Sequence, residues 1–126
     1  MSSPPVKTVL VVDDEPAIRM LCRVNLELEG FRVLEAEGPD AAREILDAEP
    51  VDVALVDIHL GEANGNELVR ELRARDRAPR IALLTGSSGL DDEERAVTDA
   101  VIEKPFTLDE LVSTVKQLAG AVDSPT

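Results

Sequence analysis

Four short stretches of this chain are apolar without a break: Val9-Leu10-Val11-Val12, Val53-Ala54-Leu55-Val56, Ile81-Ala82-Leu83-Leu84 and Ala100-Val101-Ile102. A strand with one wet face alternates apolar and polar residues, so a strand with no polar position is covered on both faces. Between these runs lie segments with helical spacing. Ala17, Leu21, Val24 and Leu28 predict a helix that Pro16 opens and Gly30 stops. Ala41, Ile45 and Ala48 predict a second helix between Pro39 and Pro50, and Leu68 and Leu72 a third that Pro79 ends. Asp91 to Val97 is a short acidic helix with a weak pattern. Leu108, Leu111, Val115 and Leu118 form the clearest stripe, with Thr107 as N-cap. Phe31 and Val33 alternate with polar residues, as an edge strand does. Five strands alternating with five helices require parallel strands joined by right-handed crossovers, an α/β sheet with helices on both faces.

The residues on which the strands end are not apolar. The first runs into Asp13-Asp14-Glu15, the third stops on Asp57, the fourth on Thr85-Gly86 and the fifth on Glu103-Lys104-Pro105. In the shorter common topology of this class the strand order is 2-1-3-4-5, and ligands bind outside the carboxyl ends where the order reverses. That point lies between the first and third strands, so Asp13, Asp14 and Asp57 share it. Two like charges about 4 Å apart repel by about 4 kcal/mol at an effective dielectric near 20. The cluster therefore holds protons or a cation. Oxygen donors without a Cys or His cluster suit Mg²⁺. Thr85 and Lys104 flank the same crevice with a hydroxyl and an ammonium. A cation, an ammonium and a hydroxyl suit a phosphoryl group, and Asp57 is then a candidate nucleophile.

With 126 residues the chain makes one domain, and 44% hydrophobic content gives it a core. No apolar run approaches the ~20 residues that cross a bilayer, and Met-Ser-Ser-Pro-Pro lacks the regions of a signal peptide. The net charge of −13 argues against nucleic acid as a direct ligand. The basic group Arg70, Arg73, Arg75, Arg77 and Arg80 is read as a helix end favoured by the macrodipole. A single cysteine, Cys22, fits a reducing cytoplasm and a packing role.

Val12-Asp13-Asp14-Glu15, the strand end Val56-Asp57, Thr85 and Lys104-Pro105-Phe106 together resemble the receiver domain of bacterial two-component response regulators. The resemblance covers residues 6 to about 120, with 1–5 and 121–126 as disordered tails. It implies a flavodoxin-like (βα)5 fold and Mg²⁺-dependent acceptance of a phosphoryl group from a sensor histidine kinase or a histidine phosphotransfer protein. On that resemblance Asp57 is the acceptor, and Asp14 and Asp57 bind the metal directly. Asp13 acts through water, the backbone carbonyl of His59 completes the ligands, and Lys104 and Thr85 engage the phosphoryl oxygens. A cis Lys104-Pro105 bond is also implied. The module would be no enzyme beyond its own phosphorylation and dephosphorylation, and would switch contacts with a downstream protein.

Some features depart from the pattern. Val101 stands where the family has an aromatic switch residue, and the loop Gly61 to Asn66 lacks the family's Pro. The span from Thr85 to Lys104 is about one helical turn short, and its two glycines, Gly86 and Gly89, and few apolar anchors predict that Gly86–Thr98 is mobile and orders on phosphorylation. His59 and Ser87 hold positions that influence loss of the phosphoryl group to water. Only Gly120 to Thr126 follow the last predicted helix, which fits a stand-alone receiver or equally one whose output region lies beyond this sequence. Two other functions stay open: a receiver-like interaction module that takes no phosphoryl group, and a Mg²⁺-dependent phosphohydrolase with an aspartyl nucleophile. Against the latter, His59 sits where such enzymes carry a second Asp, and there is no cap domain.

Overall fold

The computed structural model describes residues 6–60, 63–86 and 98–122. Its elements are β1 (Thr8–Val12), α1 (Pro16–Leu28), β2 (Arg32–Ala36), α2 (Pro39–Ala48), β3 (Val53–Asp57), β4 (His59–Leu60), β5 (Ala63–Asn64), α3 (Gly65–Arg73), β6 (Arg80–Thr85), β7 (Ala100–Glu103) and α4 (Leu108–Val122). Five strands form one sheet in the order β2-β1-β3-β6-β7, every pair parallel. Counted within the sheet this is 2-1-3-4-5, as expected. The expected helix at 91–97, Ser87 and the ordering of Gly86–Thr98 fall wholly or largely outside the described residues. So do both outermost tails, while α4 runs two residues past the expected boundary at 120.

Alternate residues of the apolar runs face opposite layers. Val9, Val11, Val53, Leu55, Ala82 and Leu84 meet α1 and α4 through Cys22, Leu26, Leu111, Val115 and Leu118. Leu10, Val12, Ala54, Val56, Ile81 and Leu83 meet α2 and α3 through Ala42, Leu68, Val69 and Leu72. Each fully buried Leu, Ile or Val contributes about 1.5–3 kcal/mol, so a two-sided core explains why no polar residue interrupts these strands.

The helices keep their expected places but α1 is turned. In α1 the buried residues are Cys22 and Leu26, with Ile18 against the same cluster. The expected stripe faces water instead: Leu21 and Val24 are 40% exposed and Leu28 78%. In α2 Ala42 is buried and Ala41 and Ile45 pack against the same cluster as expected, while Ala48, expected on that face, is exposed. The end of α1 is a Schellman motif: Phe31 N–H donates to Leu26 O (3.1 Å) and Gly30 N–H to Glu27 O (3.0 Å), with Gly30 at φ +95°. Thr107 caps α4 as expected, its Oγ1 accepting Glu110 N–H at 3.1 Å. Helix α3 stops at Arg73, well before Pro79, and its last carbonyls are taken up by Ala74 and Arg75 N–H at 3.2 Å.

The arginine group is not one helix end. Only Arg70 and Arg73 lie in the last turn of α3, and Arg80 opens β6. Ion pairs hold three of the group: Arg73 and Arg80 with Asp99 (3.0 and 3.4 Å) and Arg75 with Asp47 (3.0 Å). The stretch expected to be plain loop after Asp57 contains a two-residue antiparallel ladder, His59 opposite Asn64 and Leu60 opposite Ala63.

Candidate functional site

A parallel sheet brings the carboxyl ends of all its strands to one rim, and here the polar strand-end residues gather on it. Asp57 closes β3 in register with Leu84, and Asp13 follows β1, its N–H donating to Ala36 O at 3.1 Å. Asp13 is fully buried (0% exposed), Asp57 is buried, and Asp14 is exposed. A carboxylate oxygen from each of the three lies within 4.8 Å of the others. Around an ion with ~2.0–2.1 Å bonds to octahedral oxygen ligands, neighbouring donors sit about 3–4 Å apart. The three carboxylates are close to that spacing, and hard oxygens are the donors Mg²⁺ prefers.

Lys104 enters from the other side. Its Nζ lies 3.2 Å from Asp57 Oδ2 and 3.3 Å from Asp13 Oδ2. The backbone aims it: Lys104 N–H donates to Thr85 O at 2.7 Å, and Thr85 is the buried last residue of β6. The Lys104-Pro105 bond is cis. His59 lies two residues past Asp57, in β4. Thus Asp13, Asp14, Asp57 and Lys104 converge, with Thr85 joined to Lys104 through the backbone.

The charges do not balance. Burial raises the pKa of Asp13 above the usual aspartate value, and the charge of Asp57 adds to this. The Glu15 N–H and the Lys104 ammonium oppose the shift without cancelling it. Burial alone would lower Lys104, but the charges of Asp13 and Asp57 and its hydrogen bonds to them outweigh it, and its pKa is raised. One ammonium thus faces three carboxylates, and a divalent cation would neutralise the remainder. Nearby, burial first and Asp13 second push the Cys22 thiol up to about 12, which suits a packing residue and not a nucleophile.

Two contacts of this rim were not legible beforehand. Gly65 opens α3 against the backbone of Asp57: a Cβ there would meet Asp57 O at 2.3 Å and Ile58 Cα at 2.9 Å. Its N–H donates to Ile58 O at 2.9 Å. The sequence offers Gly61 and Gly65 as equals, and only the turn back toward β3 separates them. The second is Arg19, whose Nη1 donates to the carbonyl of Asp13 at 2.7 Å. Its signal is its place one turn into the helix after the acidic strand end.

Comparison with known proteins agrees with this geometry. The sequence model of the response regulator receiver domain matches residues 9–116. The transcriptional regulatory protein AruR of Pseudomonas aeruginosa is 39% identical over 127 residues, covering 93% of this chain and 51% of that protein. The TorCAD operon transcriptional regulatory protein TorR of Escherichia coli O157:H7 is 36% identical, covering 91% and 51%. The chain spans about half the length of the curated relatives it matches. Among solved structures, the Thermotoga maritima response regulator TrrA in complex with Mg²⁺-BeF superposes with a TM-score of 0.82 at 34% identity, over 90% of this chain and 99% of that one. A CheY-like receiver domain protein of Methanospirillum hungatei gives 0.87 at 26%, over 97% and 100%.

Proposed function

The chain belongs to the response regulator receiver domain family, and from that premise we propose that Asp57 accepts a phosphoryl group from a phosphohistidine. The donor is a sensor histidine kinase or a histidine phosphotransfer protein, and the modified rim switches contacts with a downstream protein partner. One observation carries the reading: Lys104 Nζ stands within 3.3 Å of both Asp13 and Asp57, where the three carboxylates meet.

An Asp57 carboxylate oxygen attacks phosphorus, and the bond from phosphorus to the donor's imidazole nitrogen breaks, the imidazole leaving with its electron pair. Asp57 and Asp14 with the His59 backbone carbonyl would hold Mg²⁺ directly, and Asp13 through water. When bound, Mg²⁺ neutralises charge on the phosphoryl oxygens. Lys104, released from its carboxylates, pairs with a phosphoryl oxygen, and the Thr85 hydroxyl donates to another. Being preorganised on strand ends, these groups need little rearrangement. Residues 6–120 form the working unit. We place it in the cytoplasm, where Cys22 stays reduced. Among the described residues no helix is long and apolar enough to cross a membrane.

Incubation with Mg²⁺ and acetyl phosphate tests the proposal. Intact mass should show one added phosphoryl group on the wild type and none on Asp57→Asn. An unmodified wild type would sink the reading in favour of an interaction module that takes no phosphate. Many turnovers of an unrelated phosphomonoester would point to a hydrolase instead.

A further inference from the structure

The carbonyl of Asp13 lies beyond the last β1–β2 pair, Val12 with Ala36, so the sheet offers it no donor. A strand-end carbonyl in a buried setting requires a partner. Arg19 supplies it from the first turn of α1, Nη1 to O at 2.7 Å, a short charge-assisted bond. From its other side the residue is closed by its own side chain, Asp13 Oδ1 accepting Glu15 N–H at 2.9 Å. Asp14 sits between these two anchors. It is exposed, and among the described residues its carboxylate makes no hydrogen bond or ion pair, so backbone alone directs it. The same guanidinium is held by Glu35 of β2, Nε to Oε1 at 3.4 Å, and the other oxygen of Glu35 pairs with Arg23 at 3.2 Å. Arg19 is only 16% exposed on its side chain.

We propose that Arg19 is a positioning residue for the divalent-cation site, fixing the Asp13–Asp14 peptide so that Asp14 points at the cation, while Glu35 holds the guanidinium and cancels its charge. This rests on the Mg²⁺ reading above. A guanidinium beside three carboxylates would oppose a second cation. Paired with Glu35, it keeps its hydrogen bond to the loop and adds little net field.

The test measures Mg²⁺ affinity directly, by calorimetry and by the amide shifts of Asp13 and Asp14 in the full chain. Arg19→Gln should weaken Mg²⁺ binding by about 10- to 100-fold, the usual loss when a partner behind a ligand is removed. Arg19→Lys, which keeps a charged donor, should recover most of it. Glu35→Gln leaves the Arg19 bond to Asp13 but exposes the charge. Its weaker binding should return toward wild type as salt is raised, because screening removes charge repulsion and not misplacement. A purely structural tie would instead lower the urea midpoints of both variants while their folded forms kept wild-type Mg²⁺ affinity, and that result overturns the proposal. Unchanged affinity in Arg19→Gln overturns it too, leaving the phosphoacceptor reading intact if acetyl phosphate still modifies the wild type. Wild-type protein that takes up no Mg²⁺ overturns both.

Discussion

Gly65 shows how much of this site is backbone. The start of α3 lies so close to Asp57 that even a methyl group would sit 2.3 Å from its carbonyl oxygen, with 3.1 Å to its carbonyl carbon. Neither atom belongs to a side chain that can swing away, so the two segments must separate. Gly65→Ala should therefore cost on the order of 1–3 kcal/mol in urea unfolding, as overpacking does. On the proposed function it should also slow modification by acetyl phosphate, because the shift moves Asp57, the proposed acceptor. A variant with wild-type stability and rate would show that the backbone yields freely there. The sequence placed Asp57 but not the glycine behind it, since a carboxylate at the end of an apolar run is conspicuous and a loop glycine is common. The same holds for Arg19, whose partner is a carbonyl and leaves no trace in side-chain pattern.

At the scale of elements, α1 is the instructive case. It carries two apolar stripes, Ala17-Leu21-Val24-Leu28 and Ile18-Cys22-Leu26, offset by about one residue. Periodicity alone cannot choose between them. The docking of the helix on Val9, Val11 and Phe31 chooses the second. Leu26→Ala should accordingly lose about 2–5 kcal/mol, whereas Leu28→Ala, at a site 78% exposed, should change stability by less than about 0.5 kcal/mol. Equal losses in chemical denaturation would contradict the orientation. The join between α3, β6 and β7 depends on Asp99, which accepts Ile81 N–H at 2.8 Å while Asp99 N–H donates to Ile81 O at 2.8 Å. Burial would raise its pKa, but Ile81 N–H, Arg73 and Arg80 together lower it below the ordinary 3.8. A carboxyl whose folded pKa is depressed stabilises the protein fully above its unfolded value and loses that contribution as pH falls through the folded one. Asp99→Asn should thus be less stable than wild type at neutral pH, with the gap narrowing below about pH 4 in urea titrations at stepped pH. A gap that is constant from pH 7 to pH 2 would remove charge from the account.

For the whole molecule, strand order and rim were legible because a two-sided parallel sheet forces its sequence to be apolar and its ends to carry the chemistry. Helix rotation, the short ladder after Asp57 and the true end of α3 were not, since each is decided by contacts between segments and not within them. The pair Lys104–Asp13 spans 91 positions of the chain and Lys104–Asp57 spans 47. The rim is thus assembled from both ends of the molecule at once. A polypeptide still leaving the ribosome has its acidic residues in hand long before its lysine, and a fragment cut between β3 and β7 never brings them together. If the rim takes a phosphoryl group as proposed, only a chain that has finished folding can carry the signal.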